Sequence, residues 1–309
     1  MPAPGRKRRQ PQISFWLRLL ALTLALVVLV FVGRVAFWIK TSHWDKNIPL
    51  TLVVVGPSRM GLFQIDVANN RAELLNLPQN LTVGVAGVGS QYQVKSLWRF
   101  GEIEGRAGEI VSSSIAAFSG VWVDGYIYDP NWTGGLPIRW SLLRSAGRKS
   151  NLSLFDLVAV VKATTGLRGD QVQQSEISSN LLQKKTSPDG YEIVSVNEQR
   201  LALVMRDLFE NKLVAADRRT ISIANGSGVS GMARLFERMV TSAGGAVVEV
   251  KESEMVDGWC TVSYSGSSNG LVGWLNKRVG CRLAAGDEQQ SRAEIVVTLA
   301  KQWGDRFAR

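Results

Sequence analysis

The amino-acid sequence predicts an α/β protein in three parts: an N-terminal transmembrane helix, a mixed α/β body and a small C-terminal α/β sandwich. Three observations predict it. Residues 15–38 form an apolar run framed by the aromatic pairs Phe15-Trp16 and Phe37-Trp38, with no charge from Leu19 to Val32. Residues 50–128 contain short β-type runs punctuated by Gly56-Pro57 and Asn69-Asn70. Beyond residue 220, β-type runs alternate with helical patterns, the signature of a sheet with one face covered by helices.

At the helical rise of 1.5 Å per residue the apolar run reaches about 35 Å, against a hydrocarbon core of about 30 Å. Its aromatic rings would lie at the two interfaces, and Arg18 and Arg34 near its ends can snorkel toward water. A cleaved signal peptide is the rival. The core is long for one, and Leu, Val and aromatic residues stand where a small-residue cleavage site should follow. The expectation is therefore a retained anchor. Arg6-Lys7-Arg8-Arg9 hold residues 1–14 in the cytoplasm as a basic tail, outweighing Arg34, Lys40 and Lys46 on the far side. Everything from about residue 41 is expected to be extracytoplasmic, in a single-pass protein of the cell membrane.

The formal net charge of +10 suggests nucleic acid until it is divided along the chain. Residues 1–46 hold eight Lys/Arg and one Asp, a balance of +7, and the rest carries only +3. The basicity reports topology and attraction to anionic lipid, and no nucleic-acid partner is expected. His43 is the sole histidine and lies beside the apolar run, which excludes a Ser-His-Asp triad or a His-based zinc site in the globular part. Two cysteines are too few for a Cys-only zinc site, and no metal site is expected. Cys260 and Cys281 are a candidate disulfide in an oxidising compartment, with a pair of buried free thiols as the alternative.

In the body, residues 50–55 read as a buried strand, and 61–68 with 71–77 as a hairpin through Asn69-Asn70, a pair that tolerates positive φ. A Gly/Val loop covers 82–89. Residues 102–118 fit a helix interrupted by Gly105 and Gly108, and 121–128 fit a strand. After a Gly/Trp/Arg-rich connector at 131–149, residues 154–165 read as a helix capped by Asn151 or Ser153. Residues 196–213 are helical again. The second unit starts near Asp217, with strands at 220–224, 246–251, 259–264 and 294–299 and helices at about 230–243 and 268–279.

Asn225, Gly226, Ser227 and Gly228 open a glycine turn between strand and helix. Such a turn is either structural or, through free N–H groups at the helix start, a contact for an anion or glycan. It lacks the Gly-Lys-Ser/Thr ending of a P-loop. The segment 221–233 (Ile-Ser-Ile-Ala-Asn-Gly-Ser-Gly-Val-Ser-Gly-Met-Ala), the Ala-Gly-Gly turn at 243–245 and the strand at 293–299 together resemble the C-terminal domain of LytR-type proteins, over about residues 218–300.

In that family the module commonly follows a LytR-CpsA-Psr (LCP) domain on one signal anchor. The resemblance implies an LCP-like domain at 50–180, a connecting segment at 181–217 and a tail at 301–309. LCP domains move glycopolymers from polyprenyl-pyrophosphate carriers to the cell wall, using arginines on the pyrophosphate and carboxylates on a divalent metal. Here the copy is degenerate. The family's apolar-Pro-Arg-Asp signature falls at Leu77-Pro78-Gln79-Asn80, so Gln79 and Asn80 keep hydrogen-bonding capacity and lose charge. Gly56-Pro57-Ser58-Arg59 loosely resembles a Gly-x-Asp-Ser-Arg loop, and Val94-Lys95-Ser96-Leu97 a Lys-centred segment. Val123-Asp124-Gly125-Tyr126 is similar to a Val-Asp-Tyr-Tyr strand, and the later arginine run is missing.

Arg59, Lys95 and Arg99 remain as candidates for a basic pocket, with Asp66 or Asp124 nearby, and Trp98, Trp122, Trp132 and Trp140 as possible groove residues. The expectation is a membrane-anchored envelope protein, leaning to non-catalytic, that needs no cofactor. Its partners are the membrane, a cell-wall polymer, a polyprenyl-phosphate lipid or other envelope proteins. An active glycopolymer phosphotransferase using Mg²⁺ is the enzyme alternative, and an assembly scaffold is the second.

Overall fold

The computed structural model describes residues 15–40, 42, 44–136, 149–186, 190, 192–268, 270–285 and 293–308. Helix α1 (Phe15–Lys40) is 26 residues long, and its side chains from 19 to 34 are all exposed. Among the described residues no helix is long and apolar enough to cross a membrane. The helix at 15–38 is present, and its spanning role is unconfirmed.

The first sheet is built on β1 (Leu50–Val55), antiparallel to β2 (Met60–Asp66), which is antiparallel to β3 (Arg71–Leu77). The hairpin turns where Asn69 and Asn70 stand: Asn70 adopts φ +49°, and the Asp66 carboxylate accepts from the Asn69 backbone and side-chain amides at 3.1 and 2.7 Å. Two edges extend this core. β6 (Gly125–Tyr128) lies parallel to β1 and carries β7 (Lys149–Ser150), while β8 (Val172–Glu176) lies parallel to β3. The order is β7-β6-β1-β2-β3-β8.

All six residues of β1 are buried, because both faces of the sheet are covered. Leu50, Leu52 and Val54 face helix α4 (Leu154–Thr165) through Leu157, Val160 and Val161. Val53 and Val55 face the opposite way, toward α2 (Val94–Ile103) and α3 (Ala107–Ser119). Two helices thus replace the single helix expected at 102–118. The break falls at Glu104–Arg106, with Gly105 at φ +69°, and a Cβ on Gly101 would meet the Ala107 Cα at 2.5 Å. The strand expected at 121–128 is shorter, starting at Gly125. Ahead of it the Asp124 carboxylate accepts from Thr51 N–H at 2.8 Å and from the Trp122 indole at 3.1 Å, and the chain bends to allow both. Ser153, and not Asn151, caps α4 in a reciprocal capping box with Asp156.

Short elements escaped the sequence reading: β4 (Thr82–Gly84) pairs with β5 (Gln91–Gln93) inside the Gly/Val loop, and β9 (Leu182–Thr186) pairs with β10 (Glu192–Val196). The helix expected at 196–213 is split into α5 (Glu198–Phe209) and α6 (Lys212–Ala216), where the Asn211 side chain caps the second at Leu213 N–H.

The second sheet holds β11 (Thr220–Asn225), β12 (Ala246–Glu252), β13 (Cys260–Tyr264), β14 (Arg282–Ala285) and β15 (Ile295–Leu299) in the order β12-β11-β15-β13-β14. Helix α7 (Met232–Ser242) buries Phe236, Met239 and Val240 against it. A short α8 (Leu271–Trp274) runs into a π turn, and Cys281 just beyond is disulfide-bonded to Cys260.

Residues 301–309, set apart as a tail, include helix α9 (Lys301–Ala308), which joins the two sheets. Trp303 is fully buried, with ring centroids 5.8 Å from Trp122, 5.0 Å from Trp259 and 4.9 Å from both Phe236 and Phe307. The Arg306 guanidinium lies 4.9 Å from the Trp122 ring centroid, and burial pushes its pKa down from the usual arginine value. One buried cluster therefore runs from Val53 and Leu62 to Ile223 and Val297.

Trp303→Ala is expected to cost about 3–5 kcal/mol. Chemical denaturation followed by circular dichroism and by tryptophan fluorescence should give coincident transitions, both displaced. Reduction of Cys260–Cys281 should lower the unfolding free energy by about 3 kcal/mol, read in the same titration with and without reductant.

Candidate functional site

Arg59 closes the four-residue turn between β1 and β2, where Gly56 N–H donates to the Arg59 carbonyl at 2.8 Å. Trp132 dictates the glycines of this turn. A Cβ on Gly56 would meet the Trp132 carbonyl at 2.6 Å, and one on Gly61 would meet its ring at 3.0 Å. The indole N–H donates to the Gly135 carbonyl at 2.6 Å. The Gly134 carbonyl accepts from Asn76 and Gln174 amides at 3.1 and 3.0 Å, which seats this loop beside the Arg59 guanidinium.

Lys95 and Arg99 come from α2, four residues apart and so on one face of the helix. The first amides of α2 are satisfied by the preceding turn: Val94 N–H donates to the Leu81 carbonyl at 2.8 Å and Lys95 N–H to that of Gln79 at 3.1 Å. The Gln79-Asn80 turn is thus fixed at the head of the helix that carries both cations. The three exposed cations converge on one cleft of about 460 Å³, and none has an ion-pair partner among the described residues. Its wall includes Trp98, whose ring stacks on Tyr128 at 4.5 Å and 11°. Arg59 also borders a smaller cleft of about 190 Å³ with Asn76, Gln79 and Glu176.

Glu102 lines the basic cleft and faces Lys149 at 2.7 Å. That hydrogen bond is the main reason its carboxyl lies below the ordinary range. The Trp98 indole N–H leans the same way, although its geometry falls outside a regular hydrogen bond. A larger cleft of about 600 Å³ opens on the other side of Trp98, between α3 and α9. Of its cations, Lys149 pairs with Glu102 and Arg106 with Glu109 at 3.6 Å, while Arg306 lies over the Trp122 and Trp259 rings.

The acids expected near the cations are elsewhere. Asp66 closes the far end of the β2–β3 hairpin, and Asp124 is held by Thr51 and Trp122. Among the described residues no three His, Cys, Asp or Glu side chains gather in a group that could hold a metal ion. A divalent cation, which the transferase alternative requires, does not fit the donors at this cleft. Of the tryptophans, Trp98 lines the cleft, Trp132 lies under its turn, Trp122 belongs to the α9 junction, and Trp140 is outside the described residues.

The glycine turn is occupied with itself. The Asn225 carbonyl oxygen accepts from Ser227 Oγ at 2.6 Å, and its amide donates to Glu252 at 2.8 Å and to the Val229 carbonyl at 3.0 Å. Asn225 and Ser227 are buried. A Cβ on Gly226 would meet the Glu254 and Leu299 carbonyls at 2.8 Å, and Gly228 adopts φ +75°. These contacts account for the residue types without a ligand.

Gly56→Ala should destabilise the fold by about 1–3 kcal/mol through the clash with Trp132, measured as a drop in the thermal midpoint. Lys149→Met should bring the Glu102 carboxyl back up toward its ordinary value, seen by NMR titration. The folded pKa lies below the unfolded one, so the pair's stabilisation is present above the unfolded value and is lost as pH falls through the folded one. Exposure keeps the effect small.

No protein-family model and no curated protein matches this chain. Solved structures similar to it include TagT of B. subtilis, at 13% identity and a TM-score of 0.41 over 54% of this chain and 93% of that one. TagV of B. subtilis gives 10% identity and 0.40, over 53% and 97%. A LytR-CPS2A-Psr family protein, YwtF (TagT), with bound octaprenyl pyrophosphate lipid gives 13% and 0.40, over 53% and 91%.

Proposed function

We propose that this chain is a membrane-tethered, extracytoplasmic envelope protein whose basic cleft holds a phosphate group of an envelope polymer or of its polyprenyl-phosphate carrier, without transferring it. One observation carries the reading: Arg59, Lys95 and Arg99 converge on a single cleft with no ion-pair partner among the described residues. Three unneutralised cations at one rim repel one another, and a ligand with adjacent negative charges relieves that repulsion. The ligand class is the one implied by the resemblance of residues 50–180 to the LCP domain and of residues 218–300 to the LytR C-terminal domain. Gln79 and Asn80 supply no charge where that family places Arg and Asp, and among the described residues no carboxylate set for a metal surrounds the cleft. Binding without turnover follows from these losses. The tether is the apolar α1, oriented by the basic residues 6–9.

The test uses the full chain in lipid nanodiscs with inorganic pyrophosphate and with a polyprenyl diphosphate as probes. Arg59→Ala, Lys95→Ala and Arg99→Ala should each weaken binding about tenfold, equal to about 1.4 kcal/mol, and added salt should weaken it further. Equal binding by the wild-type chain and all three variants would remove the cleft from the function. Metal-dependent transfer of glycan from a polyprenyl-pyrophosphate donor, abolished by Arg59→Ala, would replace this reading with the enzyme alternative. Crosslinks to envelope proteins alone would favour the scaffold.

A further inference from the structure

Among the described residues, helix α4 has two apolar faces, one packed on the sheet and one exposed. Leu157, Val160 and Val161 pack on the first sheet, while Leu154, Phe155 and Val158 remain 49, 44 and 42% exposed on the outer side. The exposed three lie in the first half of the helix, and the same outer side continues into exposed Lys162. Three large apolar side chains side by side on one helix end are unusual in an otherwise amphipathic arrangement.

The position of this patch is tied to α1. The segment that follows α1 is fastened at the head of α4: Trp44 N–H donates to the Asp156 carboxylate at 3.1 Å, and Ser42 Oγ donates to the same oxygen. Asp156 is itself fully buried in the capping box of α4, so this attachment is to the rigid part of the helix. Trp44 packs against the core beneath α4, and α1 contacts α4 directly. From Lys40 to Trp44 the chain spans at most about 14 Å, even fully extended. Lys277 of the second unit pairs with Asp45 at 2.9 Å and Arg278 donates to the Ile48 carbonyl, so the strap leaving α1 is also fastened to that unit.

We propose that Leu154, Phe155 and Val158 enter the outer interface of the bilayer beside α1, docking the body on the membrane through α4. This rests on the anchor reading given above. If the C-terminal end of α1 lies at the interface, its tether places the α4 head within the reach of the headgroup layer, roughly 5–8 Å deep on each side. There an exposed Phe and two branched aliphatic side chains gain apolar surroundings, and Lys162 faces anionic headgroups. The occupant is therefore lipid; a second protein on this face is an alternative that the experiment separates.

The full chain is placed in phosphatidylcholine–phosphatidylglycerol vesicles with a spin label at one of three introduced cysteines: Phe155→Cys on the patch, Leu26→Cys in α1, and Lys251→Cys on exposed β12. Accessibility to oxygen and to an aqueous nickel chelate is then compared. The expected result is a severalfold higher oxygen-to-nickel ratio at 155 than at 251, with 26 higher still. A ratio at 155 equal to that at 251, with 26 buried in lipid, overturns the docking and leaves the anchor standing. An aqueous label at 26 overturns both. Leu154→Cys is an independent second site, and protection of 155 from both reagents would mean a protein partner and would also overturn the proposal.

Discussion

The burial of Trp303 between Trp122 and Trp259 is the interaction on which the rest of the molecule depends. Helix α9 is only eight residues long and would not persist alone. Its indole nonetheless fills the space between the two sheets, and Arg306 one turn later lies over the same aromatic surface. This makes the two sheets parts of one core. The residues leading into β6 are then fixed by the C-terminal unit, and β6 brings Tyr128 under Trp98 at the cleft wall.

The cleft follows from packing more than from loop design. Trp132 lies across the β1–β2 turn so closely that a Cβ at 56 would collide with its carbonyl and one at 61 would crowd its ring, and Arg59 lies between these two positions. The two α2 cations are set by a different device, the carbonyls of Gln79 and Leu81 that receive the first amides of the helix. The Gln79 carbonyl does this work whatever side chain stands at that position.

The long strongly patterned segments were legible in the sequence. β1, the Asn69-Asn70 hairpin, α4 and the strands β11, β12, β13 and β15 stand where periodicity and turn residues place them, while the edge strand β14 was not expected. The misses have physical causes. Strands β8, β9 and β10 are largely exposed and polar, so they carry no alternation to read. The α2–α3 break is made by close approach of Gly101 to Ala107, a tertiary contact that no local pattern announces. Helix α9 was hidden by its length, although Trp303, Phe307 and Arg306 at helical spacing were its trace. Of the candidate site, Arg59, Lys95 and Arg99 were named from loose motif resemblance and line one cleft, and Asp66 and Asp124 lie apart from it because their partners are distant in sequence or local to a turn.

The first sheet separates two surroundings. Helix α4 and the strap from α1 lie on one face, and α2 with Lys95 and Arg99 lies on the other. With a helix about 10 Å across and a further packing layer of about 10 Å, the cations stand some 20 Å from the face that carries α4 and the strap from α1. Under the proposed anchoring, a phosphate at the bilayer surface would meet them only if its lipid were drawn partly out of the leaflet, whereas a polymer strand on the other side would need no such extraction. On that proposal the sheet would act as a partition, favouring ligands that approach from the face opposite α1.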